Sequence, residues 1–362
     1  MSATLATSAL IVAFFALLAI PLIPACRELI RKTDHAPLNV VQQYAGDIRF
    51  FADGFRHYLA AIQPKLDEVE QKGSDTTIIM PDGIHCLVLV PNAASHDLGV
   101  ERGACARTVV SLGDLTLPPA TTFVHDIYAR QKLEGGNGNQ YRAVLGESDV
   151  HLAQDSILMR WVHAVGAIEC AAACRLHGRV SSDRLIVLHR DCRFTRLNAP
   201  RIAIGDNRSE EPASAPSSAP ASADDKTPVD NNGIVDRVLH MGDLRIAPNE
   251  VFEKHLVVRG DLYVGSGARI FGNVKAEKTA FLEPGVAVYG SLISSSALNI
   301  GSNCSLHGPV IAEHSISIGE GTRIGSAKAP TTVSAPQIEI AEGAVVFGTM
   351  WAREKGRVVE HV

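Results

Sequence analysis

Among the 14 histidines of this 362-residue chain, His307 and His314 are the candidates for acid–base chemistry on a repetitive surface. A histidine beside a groove can act as a general base because its ordinary pKa lies near neutrality. It also needs a partner to orient it, and the sequence points to no carboxylate for either one. A histidine on a regular surface is ordinarily solvated. Cys170, Cys174 and Cys192, with His163, His177 and His189 close by in sequence, raise a zinc site as a second possibility. Zinc requires ligands converging on a tetrahedron. Here Cys174 and Cys192 are 18 residues apart, which is also the spacing of the apolar residues around them, so they read as small core residues. The glycine-rich 135–139, GGNGN, is followed by neither a helix nor a Lys-Ser/Thr pair, so it does not read as a phosphate loop. The outer charges show no Asp, Lys or Arg cluster of the kind that polysaccharide-cleaving β-helices need. No catalytic, cofactor-binding or metal-ligating residue is assigned, and no cofactor is expected.

The residues that do recur define the scaffold. In IGSNCSLHGPVIAEHSISIGEGTRIGS (300–326), apolar or small residues fall at 300, 306, 312, 318 and 324. No helix or ordinary strand has a period of six. Over a longer window Ile246, Val264, Leu282, Ile300 and Ile318 are each 18 apart, as are Gly267, Gly285, Asn303 and Gly321. Three sixes make a coil with three faces, each a short strand with alternate residues inward. Successive coils then stack about 4.8 Å apart. The fold class is mainly β: a single-stranded parallel β-helix, or β-solenoid, of about 18 residues per coil. After Ser326 four residues are inserted, and the pattern resumes at Ile340 and Gly343. The ladder Ala268, Val286, Cys304, Thr322, Ala344 fills one interior corner.

A first run repeats the scheme less cleanly. Leu152, Cys170 and Leu188 are 18 apart, as are Leu158, Leu176 and Phe194, and Phe123 and Tyr141. Trp161 is expected on an outer face or corner. Residues 76–112 read as a cap with a hairpin turning at Asp82-Gly83. Residues 207–233, rich in Pro, Ala and Ser, read as a disordered linker. The two runs either stand apart or stack into one rod.

Residues 1–26 carry no charged side chain, and about 20 apolar residues suffice to span a bilayer. Leu5 to Pro24 is expected to be a retained transmembrane helix in contact with the lipid bilayer. Arg27, Arg31 and Lys32 follow it, which places the bulk of the chain in the cytoplasm. The rival is an atypical export signal. Val41, Tyr44, Ile48, Phe51, Phe55, Tyr58 and Ile62 form a heptad seam that Pro64 should end. It predicts a juxtamembrane amphipathic helix within 27–75, either coiled with another helix, packed on its own domain or lying at the membrane surface. Seven cysteines without a CxxC pattern read as reduced thiols. A net charge of −5 offers no global basic field for nucleic acid, which is not expected as a partner.

End coils of a solenoid carry strand edges that pair with other chains unless they are capped. At the C-terminal end, GAVVFGTMW runs without charge to Arg353. Val346, Phe347, Met350 and Trp351 are therefore the candidate self-assembly residues, giving a homo-oligomer or filament. The segments GDLYV, GARIFGNV, GVAVYGSL and IAEGAVVFGTM resemble the bactofilins, polymer-forming bacterial cytoskeletal proteins. That resemblance, over about 105 residues, implies a β-helix assembling end to end without nucleotide, often at a membrane, as a scaffold for envelope-related proteins. The organisation expected is an anchor (1–26), the amphipathic helix (27–75), a first run (76–206), the linker (207–233), a second, bactofilin-like run (234–352) and a tail (353–362). The place expected is the inner membrane. The alternative is a hexapeptide-repeat acyltransferase acting on a sugar or acyl carrier. IGSN and IGEG fit it locally, but its Leu-Gly hexads do not persist.

Overall fold

The structure, a computed structural model, describes residue 14 and residues 48–91, 96–205 and 237–360. The expected linker lies outside the described residues, as do the expected anchor apart from Phe14 and the seam residues Val41 and Tyr44. Among the described residues no helix is long and apolar enough to cross a membrane. Residues 48–362 form one compact unit. Its strands join in a single 32-stranded sheet that coils around one continuous apolar core.

The second run follows the predicted period. Ile246, Val264, Leu282, Ile300, Ile318 and Ile340 pair in sequence across parallel strands, and all point inward. A second inward column is Phe252, Ile270, Val288, Leu306, Ile324 and Val346. A third runs from Val238 through Leu256, Val274, Leu292, Val310 and Val333 to Met350. One corner of each coil needs a left-handed residue. Asn249, Gly267, Gly285, Asn303, Gly321 and Gly343 fill it, all with φ between 55° and 79°. Glycine and asparagine adopt that conformation at least cost. The last strand extends from Val345 to Val359, so most of the residues expected as a tail belong to the final coil. The alternating burial of that strand and its pairing with Thr331–Ala341 continue past Arg353 to Val359.

The first run builds the same three faces. Leu87, Val109, Ile127, Val144, Val162, Val180 and Leu197 form one inward column. Thr76–Ile79 pairs antiparallel with His85–Leu89 around the Asp82-Gly83 turn, as expected. Cys170, Cys174 and Cys192 are fully buried in the core.

Two helices cover one outer face of the first run, α1 (Phe50–Ala60) and α2 (Gln63–Lys72). Pro64 sits in the first turn of α2, where its missing N–H costs nothing. Gly73 closes α2 in the left-handed conformation. Of the readings offered for the heptad seam, its described part shows packing on the chain's own domain. Within the described part of the seam, Phe55 and Ile62 pack with Leu59, Leu66 and Val69 against Cys86, Val88, Val110, Leu145 and Trp161 of the solenoid. Phe55 meets the Trp161 ring edge-on at 6.0 Å. Arg56 donates twice to the Glu147 carboxylate, at 2.8 and 3.1 Å, and Arg49 pairs with Asp183 at 3.0 Å. The apolar stripe thus covers the chain's own sheet, because that face is itself apolar on the outside.

His163 lies on this covered face. It is buried, and its Nδ1 shares a 2.9 Å hydrogen bond with Ser181 Oγ. Burial, with Arg56 and Arg49 nearby, pushes its pKa below the ordinary 6.5. The unfolded chain therefore takes up a proton that the folded chain resists. The stability from neutral His163 is complete above 6.5 and is lost as pH falls from 6.5 through the lower folded value. Thermal melts should show a stability loss over that interval that is smaller in His163→Gln. Equal acid dependence in the two proteins would show that His163 does not carry it.

Candidate functional site

The ends of the two runs are where this fold must either pair or stay open. The C-terminal end is closed within the chain. The strand Arg193–Ile204, last of the first run, pairs antiparallel with Val345–Val359, last of the second. The contact engages all three faces: Ile202 opposite Val346, Leu197 opposite Met350, and Phe194 opposite Gly356. The two runs therefore meet tail to tail, and the column from Leu87 to Leu197 continues through Met350 to Val238. Backbone bonds across the joint include Ile204 N–H to Ala344 O at 3.0 Å and Val358 N–H to Cys192 O at 2.9 Å. Asn198 Nδ2 donates to Thr349 Oγ1 at 2.8 Å.

The expected assembly residues fall at this joint. Val346 and Met350 are 0% exposed in the core, and Phe347 is half-buried. Trp351 stays 44% exposed on the outer surface, with the Arg196 guanidinium 5.4 Å from its ring centroid. The edge expected to be free is thus occupied by the chain's own first run. An apolar coil end buries as well against a second coil of the same chain as against another molecule.

The remaining ends are the two heads. In the first run, the hairpin 76–89 and the segment 96–105 close the coil. Leu98 sits in the core cluster, and its carbonyl accepts from Cys105 Sγ at 3.4 Å. In the second run, Arg237–His240, Leu244–Ile246 and Val251–Phe252 each pair on one side only among the described residues. Leu239, Met241 and Val251 are 47%, 73% and 54% exposed, while Val238, Leu244 and Phe252 pack partly against the core. Sequence inspection passed over this end. Its signal lies in the alternating apolar residues of VLHMGDLRIAPNEVF, among which Asp243, Arg245, Pro248 and Glu250 are interspersed.

The chemical candidates do not converge. His307 is an exposed outer residue stacked on Tyr289, with centroids 4.6 Å apart. His314 is exposed at a corner, where its N–H bonds to Ser296 O. Burial pushes the Cys170 thiol well above its ordinary value, away from the thiolate a metal needs. A groove of about 340 Å³ on another face of the first run is lined by Glu134, His151 and Glu169. There His151 pairs with Glu134 and His189 with Glu169, each at 2.9 Å, so each imidazole is held by a carboxylate on a neighbouring coil. Among the described residues no group of three or more His, Cys, Asp or Glu could hold a metal ion.

Gly356 tests the joint. A Cβ there would clash with one edge of the Phe194 ring of the first run. Gly356→Leu should cost about 1–3 kcal/mol by overpacking. Hydrogen exchange should rise in 193–204 and 345–359 and stay unchanged in 282–300. Unchanged exchange at 193–204 would contradict the packing of the two tails.

Comparison of the chain with protein-family models, with curated proteins and with solved structures gave no match.

Proposed function

We propose that this protein is a non-catalytic scaffold, held at a membrane by its N-terminal apolar segment, that self-associates through the head of its second run. The observation that carries the reading is the open coil at 237–252, whose three strands each present an edge with no partner among the described residues. Unpaired N–H and C=O groups beside exposed apolar side chains are a template for another chain. The joint between the two tails supplies the geometry, since coils of opposite polarity meet there on all three faces at once. A head placed against a second copy's head by a two-fold axis repeats that arrangement between molecules.

The resemblance to bactofilins supports the same class, a β-helix that works by assembling. With the tails joined inside the chain, heads are the available ends. Growth beyond pairs then requires a further contact, for which Thr76–Ile79, with its exposed Ile79, is one strand that pairs on one side only among the described residues. The uncharged residues 5–24 would hold such pairs at the bilayer, where confinement to two dimensions favours encounter.

Sedimentation of residues 48–362, the compact unit, tests the head contact. At tens of micromolar, roughly where edge pairing should show, the wild type should sediment as a dimer or larger. Leu239→Arg with Val251→Arg should give a monomer with an unchanged β-sheet circular dichroism spectrum. A monomeric wild type would sink the reading.

A further inference from the structure

The tail of the first run is strongly basic in a chain of net charge −5. Residues 175–205 contain seven arginines, two aspartates, and no lysine or glutamate. Some of these arginines are engaged: Arg179 lies 4.7 Å from the centroid of the Phe51 ring, and Arg196 lies over Trp351. Arg175 and Arg193 are different. They stand directly opposite each other in parallel register, both exposed, and neither has an ion pair among the described residues. Arg357 follows Arg193 in antiparallel register across the joint. Three guanidinium groups thus line one face at steps of about 4.8 Å. Glu339, next in the column, pairs with Arg357 at 3.0 Å. Like charges set directly opposite in a ladder are destabilising. An anion lying along the column offsets that cost.

The same outward column runs on through Ser317 and Asn299 to Phe281, Tyr263 and Arg245. Tyr263 and Phe281 stack at 5.0 Å, and Arg245 lies 4.5 Å from the Tyr263 centroid. The line is about 40 Å long by the same coil spacing. It carries arginines at both ends and half-exposed aromatic rings near one of them. It lies on a different face from α1 and α2, so the helices leave it uncovered.

We propose that this column, Arg175–Arg193–Arg357 with Arg245–Tyr263–Phe281, docks the solenoid lengthwise onto anionic phospholipid headgroups. Guanidinium forks match phosphate oxygens. Aromatic rings and long basic side chains suit the zone between headgroup and acyl chain. Every member of the line is exposed or half-buried, as a planar partner requires. Choosing a bilayer over a soluble polyanion rests on the membrane-anchored reading above.

Vesicle co-sedimentation of residues 48–362, which lack the apolar segment, tests it. Vesicles of phosphatidylcholine with about a third phosphatidylglycerol should bind the protein at low salt, and phosphatidylcholine alone should not. Arg175→Gln with Arg193→Gln should weaken binding about 25-fold, from the loss of two surface charges. Arg175→Lys with Arg193→Lys should retain most of it, and Tyr263→Ala with Phe281→Ala should weaken it. No binding, equal binding by the glutamine variant, or binding to phosphatidylcholine alone would overturn the proposal. So would displacement of vesicles by a single-stranded oligonucleotide at equal phosphate, which would assign the column to a soluble polyanion. The Arg175 and Arg193 variants lie away from the head coil, so failure there leaves self-association to be judged on its own measurement.

Discussion

Every coil of a β-solenoid presents backbone N–H and C=O groups along both of its edges, and these must find partners. Inside a run the next coil supplies them, at the cost of keeping the repeat in register. At an end nothing in the repeat supplies them. This chain answers at one point by turning its second solenoid against its first, so that two ends satisfy each other. The antiparallel joint of 193–204 with 345–359 is therefore what makes two repeats one body with one core. It also decides which apolar side chains are covered, since it hides Val346 and Met350 and leaves Leu239, Met241 and Val251 outside.

The parts of this architecture that depend on local repetition are written plainly in the sequence. Ile246 to Ile340 share one column because each inward site needs an apolar residue at the same phase, and even the four-residue insertion after Ser326 preserves that phase. The left-handed corner is legible for a similar reason, since few residues tolerate it. The hairpin at Asp82-Gly83 and the outward Trp161 are readable from turn chemistry and from size. The joint has no such signature. Phe194 and Gly356 are 162 positions apart in sequence, and nothing periodic connects them. Their complementarity is visible only once the ring and the missing Cβ are brought together. An amphipathic stripe likewise states that a helix needs an apolar surface without saying whose, and α1 and α2 found theirs on the adjacent sheet.

The outer surface divides by face in a way that follows from the same register. Because outward residues also stack every coil, a single substitution repeated at intervals of 18 becomes a line. One face of the first run is apolar outside and carries the helices. A second carries the Glu134, His151, Glu169 row, where Glu134 holds His151 and Glu169 holds His189. A third carries arginines in succession and then aromatics. The interior needs only apolar residues of suitable size, so the outward columns are where this scaffold can differ from any other solenoid of equal length.

The central claim is that the two runs close on each other tail to tail within one molecule. Asn198 and Thr349 are register partners across the joint, with side chains in hydrogen-bond contact at 2.8 Å. Directly paired antiparallel residues have Cα atoms about 4.5–5.5 Å apart, within the range a disulfide spans. The measurement is peptide mapping of the double variant Asn198→Cys with Thr349→Cys after mild oxidation at low concentration. The account predicts an intramolecular disulfide between positions 198 and 349 in monomeric protein. Absence of that crosslink, or its appearance only between molecules, would contradict it.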